Sequence, residues 1–111
     1  MKNKKLIFIQ GLGVIGSINA FCISHKNYND QVIGFESKNK NGEEIIRKIN
    51  QGQFPFKSKD KKLKFVVNSV RRNRNLIVTN NYELIKQKKS PDIIICCLAL
   101  KYFLNKKKQT I

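Results

Sequence analysis

The chain has 111 residues, enough for one small domain and a single core. Its 41% hydrophobic content excludes a disordered chain, while 23 Lys and Arg against 7 Asp and Glu leave a formal charge of +16. The lysines come with abundant Asn and Ile, a bias expected of an A/T-rich coding sequence, so their first reading is a solvated surface.

Lys2, Lys4 and Lys5 precede an apolar run, as in a signal peptide, but three glycines, Gln10 and Asn19 interrupt it. No small-residue cleavage site follows, and the run is too polar to span a membrane, so a cytoplasmic location is expected. Lys5–Gln10 reads as a buried parallel strand. From Val14 to about Ser24, Ile15, Ile18 and Cys22 form a helical stripe with Val14 and Phe21 beside it. His25 falls near that helix end and is expected to be exposed rather than catalytic. Gln31–Glu36 is the second strand, and Gly42 to about Asn50 is a helix with Ile45, Ile46 and Ile49 inward. Gly52 sits where a helix stops, and Pro55 keeps Phe54 from continuing it.

From Asp60 to about Arg71, Leu63, Val66, Val67 and Val70 mark a further helix, with the cations mostly on its other side. Leu76-Ile77-Val78 is a third strand, and Asn80 or Asn81 can cap a short helix through Ile85 to Lys88. Pro91 and Asp92 introduce the fourth strand, Ile93–Cys97; Asn105-Lys106-Lys107-Lys108 belongs to a tail expected to fray, residues 104–111. Cys22, Cys96 and Cys97 are an odd set without ligand spacing and with one histidine in the chain. They are expected to be buried thiols rather than a disulfide frame or a metal site.

Strands alternating with helices predict an α/β fold: a partial Rossmann-type parallel sheet of about four strands, order 3-2-1-4, flanked by helices in one domain. Between the first strand and helix stands Gly11-Leu12-Gly13-Val14-Ile15-Gly16, and Glu36 closes the second strand 20 residues after the last glycine. In that context the glycines have separate physical jobs. Gly11 permits the turn, Gly13 lets a pyrophosphate reach the backbone, and Gly16 lets the helix pack closely on the sheet. Amides at the helix start face the phosphates, and Glu36 accepts from the adenosine ribose hydroxyls, which favours NAD over a 2′-phosphorylated cofactor.

Around this fingerprint the chain resembles the N-terminal NAD-binding domain of the UDP-glucose/GDP-mannose dehydrogenase family. Ile9–Gly16 is similar to its glycine motif, and Val32-Ile33-Gly34-Phe35-Glu36 to its second strand. Asn50-Gln51-Gly52-Gln53-Phe54-Pro55 resembles its Asn-x-Gly-x-x-Pro turn, the feature that narrows the choice. Asn75–Asn81 and Pro91–Cys97 resemble its third- and fourth-strand segments. The resemblance implies cofactor contacts at Gly11, Leu12, Gly13, Val14, Ile15, Gly16 and Glu36, and a basic residue after the acid at Lys38 or Lys40. Where the family has a Thr-Pro turn, Cys97-Leu98-Ala99-Leu100 stands instead.

The family's reacting cysteine, lysine and asparagine lie in later domains, so the resemblance implies a truncated or split dehydrogenase with no catalytic residue of its own. A separate chain carrying the missing domains is one partner it suggests. Self-association through strand 93–97 is expected from its exposed edge. A second reading is a basic nucleic-acid-binding protein, in which Lys57, Lys59, Lys61, Lys62, Lys64, Arg71, Arg72 and Arg74 follow a phosphate backbone near Phe54 and Phe56. No known nucleic-acid motif accompanies it. A third is a remnant without a role.

Overall fold

The computed structural model describes residues 4–86 and 90–97. The expected tail at 104–111, the far end of the fourth helix and the Leu98–Leu100 turn lie outside them. Four parallel strands form one sheet in the order β3-β2-β1-β4: β1 Leu6–Gln10, β2 Gln31–Phe35, β3 Leu76–Thr79 and β4 Ile93–Cys96. Helices α1 Val14–Lys26, α2 Lys40–Asn50, α3 Lys61–Asn73 and α4 Tyr82–Lys86 connect them. This is the predicted Rossmann-type arrangement.

The register pairs Ile7 with Val32 and Ile9 with Gly34, and continues to Leu76 and Val78 on β3. That face of the sheet meets α1, on which α3 packs, and carries the core of Ile7, Ile9, Leu12, Phe21, Val32, Val67, Val70 and Val78. On the other face Phe8 approaches Phe35, and Tyr82 of α4 stacks on Phe35 at 4.1 Å between centroids.

Caps and turns define the elements. Asn39 accepts from the Gly42 amide at 2.7 Å, so α2 begins at Lys40 rather than Gly42. Its end is a Schellman motif: Gly52 N–H donates to Ile49 O and Gln53 N–H to Lys48 O, with Gly52 at φ 79°. Asp60 caps α3 through the Lys62 and Leu63 amides. Asn81 accepts from Glu83 N–H at the start of α4.

Two asparagines bond distant backbone groups. Asn50 donates to Val78 O at 2.9 Å and accepts from Val78 N–H at 3.1 Å, imitating a neighbouring strand on the β3 edge. Buried Asn75 donates to the carbonyls of Ser24, Asn27 and Asp30, tying the α1–β2 turn to the start of β3.

Several expectations are corrected. The inward face of α1 is Gly16, Ser17, Ala20, Phe21 and Ser24, not the stripe through Ile15, Ile18 and Cys22. Small residues let the helix lie close to the sheet, so the bulkier apolar residues do not mark its inner face. Cys22 consequently faces outward. Cys96 is exposed on edge strand β4 and Cys97 half-buried, so the three are not a buried set. His25 is half-buried rather than exposed: it bonds Ser69 Oγ at 3.1 Å and meets Phe65 edge-on, because α3 packs across the end of α1. No described helix is long and apolar enough to cross a membrane.

Candidate functional site

The carboxyl ends of β1, β2 and β4 converge on the glycine loop. Gly11 N–H donates to Phe35 O at 2.9 Å, and Cys97 N–H donates to Gln10 O at 2.7 Å, so the loop is held from both sides. Gly11 takes φ 93°, and a Cβ there would collide with the Cys97 carbonyl. At Gly16 a Cβ would collide with the Gly11 carbonyl and approach Cys97 Cβ. Its immediate packing partner is therefore the loop itself rather than the sheet.

Gly13 differs from both. Its φ is −65°, open to any residue, and an added Cβ would meet nothing within 4 Å. It is the N-cap of α1 without a side-chain cap, and the first turn has no acid. The N–H groups of Val14, Ile15 and Gly16 belong to that first turn, beyond reach of an intrahelical acceptor. Val14 and Ile15 are 50% and 68% exposed, so solvent reaches this turn. An uncapped helix start beside empty space has the polarity and room to receive an anion.

Glu36 stands just past β2, with one carboxylate oxygen on the Leu12 amide at 3.0 Å and the other on the Ser37 amide at 2.9 Å. It thus joins the second strand to the glycine loop. An ionised carboxylate has about four lone-pair sites, so hydroxyl donors can add to these two. The Leu12 side chain is fully buried against Gly34, which leaves its backbone as the part available to a ligand. Lys40 opens α2, exposed beside Asn39, Asn41 and Glu44. The ion pairs among the described residues do not include it.

Two further residues shape the loop. Buried Ser17 donates to Leu12 O at 2.9 Å, and Asn19 donates to Cys97 Sγ at 3.5 Å. Ser17 was identifiable in principle: a small hydroxyl directly after the last glycine falls on the inward side. Among the described residues no cluster of three metal-ligating side chains occurs.

A separate cleft of about 530 Å³ lies at the start of β3, lined by Asn50, Gln51, Arg71 and Arg74 among others. The carboxyl ends of α2 and α3 reach it, so its arginines complement two helix dipoles, a polarity that disfavours an anionic ligand.

No family model and no curated protein matches the chain. Among solved structures it is similar to an NDP-N-acetyl-D-galactosaminuronic acid dehydrogenase from Methanosarcina mazei Go1, with a TM-score of 0.72 and 21% identity over 86% of this chain. The chain spans about a fifth of that protein, 20% of its length. The likeness shows the shared fold, a Rossmann-like parallel sheet.

Proposed function

We propose that the chain binds NAD through its glycine loop and is the cofactor-binding part of a nucleotide-sugar dehydrogenase of the UDP-glucose/GDP-mannose type. The observation that carries this reading is the pairing of open space at Gly13 with Glu36 held against the Leu12 amide. In this reading the amides of Gly13, Val14, Ile15 and Gly16 hold the pyrophosphate, and Gly11 shapes the turn that aims them. Glu36 accepts from the adenosine ribose hydroxyls and repels a 2′-phosphate, while Lys40 flanks the ribose from α2. The bound cofactor supplies hydride acceptance; the chain's own residues bind and orient.

The structural neighbour, itself named a dehydrogenase of an NDP-sugar, supports this reading through its shared fold. Cys22, Cys96 and Cys97 have no glycine-rich motif around them, so the nucleophile of such a reaction is assigned to another part of the enzyme. The test is titration calorimetry of the 111-residue protein with NAD and NADP. Tighter binding of NAD supports the proposal; equal affinity, or none for either, overturns it.

A further inference from the structure

The cationic residues that the sequence groups together are divided by the fold. Arg74 lines the cleft at the start of β3, and Arg72 lies beside His25 and Tyr28. Lys59, Lys61 and Lys64 share a second groove, about 590 Å³, with Phe54 and Phe56, and Arg71 stands between this groove and the β3 cleft, lining both. Lys61, Lys64, Asn68 and Arg71 have the i, i+3, i+7, i+10 spacing of one helical stripe, about 15 Å long. Their charge is distributed along a line rather than gathered around a point.

The groove's acid, Asp60, already accepts from two amides as the α3 cap. Among the described residues the ion pairs lie elsewhere, at Arg47–Glu44, Lys48–Glu44 and Lys86–Glu83. The four groove cations therefore have no carboxylate partner there. Phe54 and Phe56 meet edge-on at 5.9 Å, and both are half-buried. Arg71 is positioned by its stem, which covers Gly52.

We propose that this groove, whose lining includes no residue of the glycine loop, binds single-stranded nucleic acid. Its cations follow successive phosphates, and Phe56 offers a ring edge or face to a base. A compact phosphate would use only part of the stripe, and an acidic peptide has no bases to place against the rings. A linear polyanion with aromatic groups matches both features.

The test uses fluorescence anisotropy of a labelled twelve-residue oligo(dT), with inorganic polyphosphate as the base-free comparison. Neutralising Lys59, Lys61 and Lys64 together to Gln should reduce the magnitude of the log K against log salt slope by about 2, at about 0.7 per phosphate contact. Neutralising Lys5, Lys26 and Lys86 to Gln removes equal charge outside the groove and should leave most of that slope. Phe56→Leu should weaken oligo(dT) binding at least about fivefold and leave polyphosphate binding unchanged. Circular dichroism confirms that each variant is folded; if Phe56→Leu is not, Phe56→Tyr should retain oligo(dT) affinity. Equal slope losses for the two triple variants would reduce the interaction to net charge and overturn the proposal. So would a folded Phe56→Leu protein with unchanged affinity, a folded Phe56→Tyr protein without it, equal binding of duplex DNA, or no binding at physiological salt.

Discussion

The three loop glycines share a motif but have different physical requirements. Gly16 and Gly11 have backbone where a Cβ would go, whereas Gly13 faces open space. Gly16→Ala should therefore cost about 3 kcal/mol or more of stability, measured by chemical denaturation. Gly13→Val should retain the fold and lose NAD binding, because its branched side chain fills the space next to the helix-start amides. A Gly13→Val protein that binds NAD normally would place the phosphate elsewhere. Glu36 also has two tasks, and a Gln can accept from Leu12 N–H but carries no charge. Because the carboxylate also accepts from Ser37 N–H, toward which a Gln turns its NH2 group, Glu36→Gln should lower stability by about 1 kcal/mol while weakening the preference for NAD over NADP by about 1–2 kcal/mol. Parallel melting and calorimetry separate the two roles. The glycine spacing and the acid were legible in the sequence. The Glu36–Leu12 bond was not, because it depends on the three-dimensional path of a loop 24 residues away.

Among the elements, those governed by local chemistry were the more legible. The Asn80/Asn81 pair was readable as a cap position and Gly52 as a stop, since each acts within a few residues; Asp60, read as the first helical residue, is instead the cap of α3. The inward face of α1 was not, because close packing there selects Gly, Ser and Ala, which hydropathy does not mark. Asn75 has a long-range task of the same hidden kind: its amide group donates to three carbonyls across a sequence separation of up to 51 residues. Asn75→Asp removes those donors and turns an anion toward carbonyl oxygens. It should destabilise the protein by about 3 kcal/mol, read from the urea midpoint at unchanged slope. A midpoint like that of the unmodified protein would mean that the turn is held by other bonds.

For the whole molecule, the strand order followed from alternating β and α segments and the rule of right-handed crossovers. The exposure of the last strand's cysteines depended instead on what covers an edge. Ile93 and Ile94 are 44% and 63% exposed on β4, which has β1 on one side and no described strand on the other. The 111-residue protein is accordingly predicted to self-associate as concentration rises, and sedimentation at several loadings would detect it. A monomer at every loading would argue that the edge is protected. The described strands amount to one mononucleotide half of the dinucleotide fold, β1–β3, and one strand of the other, so ADP and NAD should bind the 111-residue protein with similar affinity. A hundredfold advantage for NAD, about 2.7 kcal/mol, would require contacts to the nicotinamide side.

The contact of Gly11 with Cys97 has a further consequence. The loop's outer wall is the end of β4, whose attachment includes Cys97 N–H to Gln10 O and the Asp92–Leu6 pair of bonds. A nucleotide held by the loop therefore favours the docked strand, and by reciprocity the docked strand favours the nucleotide. In the proposed function the two would form one thermodynamic unit, with β4 acting as a reporter of occupancy. Saturating NAD should slow amide hydrogen exchange in Ile93–Cys96 as well as around Gly13, and a loop that gains protection while β4 gains none would show the two to be uncoupled.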